Sequence, residues 1–261
     1  MIPRKVHFIW VGPDFDNQEA PALKKEYQEN MQLWKRMNPG VEIRLWDDAS
    51  MKKLIQSDFP EMEAVYKSYK KPVMKADLAR VLILNKEGGI YADLDVVPKK
   101  PIEGLLKKSD GKEDMQMTMN KNRGSNYFLM SPPKSKFSEK LIAEGKKLYQ
   151  SKSPLKKIDH FNVMLYGLGP PVYNRMAKKE NMMDREDSFN CTLCATLNGT
   201  CKENQGYFKH NYDATWSEYS TGTYCSVERN LWWLVPLVIA VLVLVAFVVR
   251  RRMKLKKRKI S

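Results

Sequence analysis

Apolar and polar positions along the first hundred residues fall into short runs whose period changes from two to about four and back. Lys5 to Val11 (KVHFIWV) predicts a strand stopped by Gly12-Pro13. From about Ala20 to Met37 the spacing predicts a helix with Lys, Glu and Gln on its polar face, ended by Asn38-Pro39-Gly40. Val41 to Trp46 (VEIRLW) alternates and predicts the next strand, after which Asp47, Asp48 and Ser50 offer N-caps to a helix near Met51–Ser57. Val73 to Glu87 is apolar nearly all round and predicts a buried helix closed by Gly88-Gly89, leading directly into a strand, Ile90 to Val97 (IYADLDVV). Asn126 to Met130 predicts a further strand, and Ser138 to Tyr149 and Val172 to Lys179 two more helices, while residues 180–229 are loop-rich. Strands alternating with helices on short connections are the pattern of an α/β sheet domain.

One stretch breaks this pattern. Leu231 to Val249 (LWWLVPLVIAVLVLVAFVV) carries no charge over nineteen residues, enough for one tilted crossing of a hydrocarbon core about 30 Å thick. Trp232 and Trp233 stand at one end, and the other runs into a basic block, Arg250 to Ser261. The expectation is a domain over residues 1–229, a transmembrane helix over 230–249 and a basic cytosolic tail over 250–261, with the large domain luminal or outside. Cysteine usage agrees: Cys191, Cys194, Cys201 and Cys225 cluster in the loop-rich end (188–229), as for two disulfides in an oxidising compartment, with three pairings open. A zinc site is the rival, because Cys191 and Cys194 have C-x-x-C spacing, although the later gaps match no standard finger. Asn190-Cys-Thr and Asn198-Gly-Thr are glycosylation acceptor patterns. The last five residues resemble di-lysine retrieval signals, which points to the Golgi or endoplasmic reticulum. Against a luminal domain, the chain opens MIPRKVHFIW with no signal peptide.

The formal charge of +15 would otherwise hint at nucleic acid, but the tail supplies eight of these charges, leaving +7 for the rest. The Lys-rich stretch from Arg123 to Lys157 has no aromatic interleaving, so no nucleic-acid partner is expected. Chemistry is expected where charge falls on apolar elements. Asp77 and Arg80 stand three apart on one face of the Val73–Glu87 helix, as a desolvated ion pair. In a regular strand Tyr91, Asp93 and Asp95 share a face, and two carboxylates placed side by side there call for a divalent cation. Cα atoms two apart in a strand are about 6.6 Å from each other, while carboxylate–Mg bonds are about 2.1 Å. Either the chain bends after Asp93, or Asp95 ligates directly and Asp93 acts through water or a ligand hydroxyl; the second arrangement is the one expected.

These residues carry a family resemblance. KADLARVLILNKEGGIYADLDVVPKKPI (Lys75–Ile102) resembles the core of glycosyltransferase family 32, metal-dependent retaining enzymes of GT-A fold that use sugar nucleotides. Ile2–Gly12 is similar to that family's opening strand, Glu42–Ile55 to its second strand and helix, Tyr166–Tyr173 to its Thr-Gly-Pro segment, and His210–Trp216 to its C-terminal motif. The resemblance implies a GT-A, Rossmann-like nucleotide-sugar domain. It implies that Trp10 stacks on the base, that Asp77 and Arg80 contact ribose and donor sugar, and that Asp93 binds hydroxyls and the metal shell beside Tyr91. Asp95 would hold Mn2+ (or Mg2+) directly and His210 would complete the metal site. Because negative charge builds on the departing phosphate, Arg80 either aids that departure or orders Asp77. Two positions depart from the family: Val81, often Tyr there, and Leu168, in place of Thr. The resemblance is nearest to fungal-type enzymes that mannosylate inositol phosphorylceramide, which implies GDP-mannose as donor and a lipid acceptor. A UDP-galactose, UDP-glucose or N-acetylglucosamine donor with a glycan acceptor, a non-catalytic membrane lectin, and a zinc-stabilised interaction module are the alternatives.

Overall fold

A central five-stranded sheet organises the computed structural model, which describes residues 1–13, 16, 20–120, 123–153, 167–180, 190–192 and 206–211. β1 (Lys5–Ile9) lies parallel to both β2 (Glu42–Trp46) and β3 (Gly89–Ala92). β6 (Arg123–Ser131) runs antiparallel to β3, and β5 (Gln116–Asn120) antiparallel to β6, giving the order β2-β1-β3-β6-β5. A second sheet, β4-β8-β7, joins β4 (Val96–Pro98) to β8 (Phe208–His210) and β7 (Asn190–Thr192). The helices are α1 (Lys25–Met37), α2 (Asp48–Asp58), α3 (Glu63–Ser68), α4 (Pro72–Glu87), α5 (Glu103–Lys108), α6 (Lys136–Gln150) and α7 (Pro170–Lys179).

Strand alternation sends side chains into two apolar layers. Val6, Phe8, Ile90, Ala92, Phe128 and Met130 meet Tyr27 and Trp34 of α1 on one side. Ile9, Tyr91 and Leu129 meet residues of α2, α4, α6 and α7 on the other. α4 is apolar all round because it touches α2 and α6 as well as β1, β3 and β6, so none of its faces is left to water. Each α/β crossover expected from the first hundred residues is present; α1 starts at Lys25 rather than Ala20. α2 starts earlier than its apolar pattern, because Asp47 accepts from Ser50 N while the Ser50 hydroxyl accepts from Asp47 N.

Gly88 and Gly89 join α4 to β3, and both need to be glycine. Their φ values are +63° and +97°. A Cβ on Gly88 would lie 2.7 Å from Pro133 Cδ, and one on Gly89 2.9 Å from Lys5 O.

The strand expected over Ile90–Val97 is not continuous. β3 ends at Ala92, paired with Phe128; Asp93, Leu94 and Asp95 turn, and the chain resumes at Val96 in the second sheet, paired with His210. Backbone bonds close the turn: Asp93 N donates to Tyr127 O, and Val96 N to Asp93 O. Asn30 and Trp34 of α1 then hold the chain off the main sheet, Asn30 Nδ2 donating to the carbonyls of Leu94 (2.9 Å) and Val96 (2.8 Å) and Trp34 Nε1 to that of Val96 (2.9 Å). α3, α5, β5, β7 and β8 are additional to the sequence expectation.

All described residues belong to one unit, Met1–Tyr212. The expected membrane segment 230–249, the tail 250–261, Cys194, Cys201, Cys225 and the glycosylation pattern at Asn198 lie outside the described residues, as do Tyr212 to Trp216. Among the described residues no helix is long and apolar enough to cross a membrane.

Candidate active site

The bend after Ala92 creates the site. Because the chain turns, Asp93 and Asp95 converge instead of standing apart along a strand, and β8 brings His210 to them through its pairing with Val96. One ligand atom from each of Asp93, Asp95 and His210 lies within 4.8 Å of the others. His210 Nε2 is 3.2 Å from Asp95 Oδ2, close to the roughly 3.0 Å between neighbouring corners of an octahedron with bonds of about 2.1 Å. Two carboxylates and an imidazole suit a Mg- or Mn-class ion. The residues present therefore fit a divalent ion. Of the two arrangements open in the sequence, the bent chain is the one the structure adopts, which corrects the expectation of a straight strand with a distant Asp93.

Behind the turn stands a buried polar network built on α4. Arg80 and Asp77 pair at 3.0 Å, with side chains 5% and 3% exposed. Arg80 Nη1 also donates to Asn126 O at 2.7 Å and lies 3.6 Å from Asp93 Oδ1, and Arg80 Nε donates to Ala76 O. The guanidinium sits over the Tyr91 ring, 4.6 Å from its centroid, while the Tyr91 hydroxyl donates to Asp93 Oδ1 at 2.5 Å. Asn126 Nδ2 donates to Asp77 Oδ1 (2.9 Å) and to Leu168 O (3.3 Å). Asp93 is thus held by one hydrogen bond, from Tyr91, and by the charge of Arg80, whose own position is fixed by further bonds.

Burial sets the electrostatics. It pushes the Asp77 carboxyl up to about 6 against the pull of Arg80, so at neutral pH the pair is ionised. Burial also raises the Asp93 carboxyl, with Arg80 opposing and the Asp95 charge adding to the rise. The Tyr91 phenol is raised well above its ordinary range, again by burial first, and stays a donor. An Asp93 carboxyl that resists ionisation beside the Asp95 charge is a state that a bound cation relieves.

Trp10 is half-buried just beyond β1, its indole N–H donating to Pro21 O at 2.5 Å and its ring edge-on to Tyr27. It stands at the carboxyl end of a parallel strand, where nucleotides bind in open α/β sheets. Asp77, Arg80, Tyr91 and Asp93 form one connected group, and Asp95 and His210 adjoin it through the turn. Two further residues that local pattern does not mark join the site: Asn126, whose amide ties Asp77 to the Leu168 carbonyl, and Tyr127, whose ring stacks on His210 at 4.2 Å and 25°. The available signal was an Asn opening an otherwise apolar strand. Leu168, singled out as a departure, contributes only its backbone carbonyl to this network.

Residues 24–113 match the family described as glycosyltransferase sugar-binding region containing DXD motif. The chain is 34% identical over 107 residues to an uncharacterized glycosyltransferase of Acanthamoeba polyphaga mimivirus, covering 41% of this chain and 40% of that one. It is 33% identical over 105 residues to an inositol phosphoceramide mannosyltransferase of Schizosaccharomyces pombe (40% and 27%). It is also 33% identical over 112 residues to an initiation-specific alpha-1,6-mannosyltransferase of Candida albicans (41% and 28%). The match spans less than half the length of each of these relatives. Among solved structures, the PaToxG glycosyltransferase superposes with a TM-score of 0.51 at 17% identity over 69% of both chains. The UDP-bound glycosyltransferase domain of the YGT toxin does so with 0.50 at 10% identity, over 84% and 82%. The sheet and the Asp93-Leu94-Asp95 turn thus accompany a match over residues 24–113 to the DXD-containing sugar-binding region of glycosyltransferases, on a fold similar to that of the solved glycosyltransferases.

Proposed function

We infer that the protein is a divalent-metal-dependent, retaining hexosyltransferase that takes mannose from GDP-mannose and passes it to a membrane lipid such as inositol phosphorylceramide. The carrying observation is the convergence of Asp93, Asp95 and His210 beside a buried Arg80–Asp77 pair. The donor and acceptor assignments draw support from the relatives named as mannosyltransferases, two of them in Schizosaccharomyces pombe named for inositol phosphoceramide. The apolar stretch Leu231–Val249 supports attachment to a Golgi or endoplasmic-reticulum membrane, which would raise the effective concentration of a lipid acceptor.

A divalent cation held by Asp95, His210 and Asp93 would act as a Lewis acid on the departing diphosphate. Everything else falls to the chain's own groups. Trp10 offers a flat ring for the base at the end of β1. Arg80, immobilised by Asp77, the Ala76 carbonyl and the Asn126 carbonyl, contributes a fixed positive charge at the site without reorganising. Tyr91 and Arg80 together hold Asp93 Oδ1 in place.

The test is a donor panel of GDP-mannose, UDP-galactose, UDP-glucose and UDP-N-acetylglucosamine, with Mn2+ and lipid extract, on wild type and Asp95→Asn. Mannosyl transfer to lipid is expected from the wild type, falling on the order of 100-fold in the variant. Equal product from both proteins would remove the metal mechanism, and preferential use of a UDP-sugar would move the donor assignment to that nucleotide.

A further inference from the structure

The three consecutive residues Trp46, Asp47 and Asp48 do three different jobs. Trp46 buries its indole and donates to His7 Nδ1. Asp47 caps α2 through Ser50 N. Asp48, the first residue of α2, plays no part in that cap and turns its carboxylate toward the connection between β1 and α1. Gly12 N–H donates to both of its oxygens, at 3.1 and 3.0 Å, and Ala20 N–H donates to Oδ2 at 3.0 Å. One carboxylate thus ties the segment leaving β1 to the segment approaching α1.

Trp10 hangs between the same two segments. It lies just before Gly12, its backbone N–H is bonded to Trp46 O, and its indole N–H reaches Pro21 O, next to Ala20. Its ring also meets that of Tyr27 edge-on, 5.8 Å between centroids, and packs against the apolar layer that contains Tyr27. The orientation of the indole therefore depends on the spacing of Gly12 from Ala20, which Asp48 sets. An Asn could keep one oxygen at the Oδ2 position, but it would replace Oδ1 by an NH2 facing the Gly12 N–H, a donor against a donor, and so loosen the Gly12 side of the tie.

We propose that Asp48 is a positioning residue for donor recognition, fixing the Trp10 ring in the plane on which the nucleotide base stacks. This rests on the nucleotide-sugar reading above and adds a residue outside the metal site that sets affinity for the base without touching the phosphates. The test is titration calorimetry on the full chain in detergent with Mn2+, using GDP, UDP and inorganic pyrophosphate as ligands, for wild type, Asp48→Asn and Asp47→Ala. Asp48→Asn should weaken the preferred nucleoside diphosphate about tenfold while pyrophosphate stays within about twofold. Asp47→Ala, which removes the cap from the same turn, should lower Tm and leave nucleotide affinity within about twofold. Parallel loss of nucleotide and pyrophosphate in Asp48→Asn, no loss at all, or an equal nucleotide loss in Asp47→Ala would each overturn the role. A wild type that binds pyrophosphate but neither nucleotide would overturn the nucleotide-sugar reading, and the role of Asp48 with it.

Discussion

His7 is fully buried, and its ring is held as a neutral imidazole: Nε2 donates to Gly88 O at 2.9 Å, and Nδ1 accepts from Trp46 Nε1 at 3.1 Å. Burial pushes its pKa down to about 4, outweighing the Gly88 carbonyl. A folded value below the unfolded one gives stability that is fully present above about 6.5 and lost as pH falls through about 4, of order 3 kcal/mol. Asp77 acts with the opposite sign. Its folded value, raised to about 6, gives stability present below about 3.8 and lost as pH rises through 6. The two slopes oppose each other across the same window, so the wild type should look nearly flat in their combined effect. Denaturant unfolding at several pH values should show His7→Gln gaining stability relative to wild type on acidification from 6.5 to 4, and Asp77→Asn losing it. Individual acids and their neighbours were legible in the sequence, because charge inside an apolar helix or strand needs a partner. Asn126 was not, since an Asn at a strand end reads equally well as a turn residue, and only the packing of α7 behind it shows that its amide is enclosed.

At the scale of elements, the junction from α4 to β3 is the tightest point of the fold. Gly88→Ala would force a side chain to φ +63° and into Pro133 and Pro3, and is expected to cost about 2–4 kcal/mol, read as a lower urea midpoint. Gly40, with φ +77° and open space around it, should pay only the conformational part, about 1 kcal/mol for Gly40→Ala. α1 and α6 were visible in the sequence because each buries one face at helical spacing, and β1 and α4 because they are apolar runs enclosed on more than one side. The break at Ala92 was not, since the residues that cause it lie elsewhere: period-two alternation continues unbroken through Asp93 and Asp95, while Tyr127, Asn30 and Trp34 decide that the chain turns. Local period is compatible with the bend and with a straight strand alike, because the contacts that decide between them are distant in the chain.

For the molecule as a whole, the metal site should be measurable as stability. An ion that binds the folded chain alone raises stability by about 2.7 kcal/mol at a hundred times its dissociation constant. Mn2+ should therefore raise the wild-type Tm in a thermal scan, EDTA should reverse the rise, and Asp95→Asn should abolish it. An unchanged wild-type Tm across a Mn2+ titration would count against the cluster as a metal site. The grip of α1 on the Leu94 and Val96 carbonyls carries a wider consequence. The acids are charge-balanced from one layer of the protein and kept in shape from the other, so the turn resembles a keystone loaded from both flanks. Selection for altered cation preference would then be expected to accumulate replacements at Asn30 and Trp34, on a helix that contributes no ligand, about as readily as beside the carboxylates themselves.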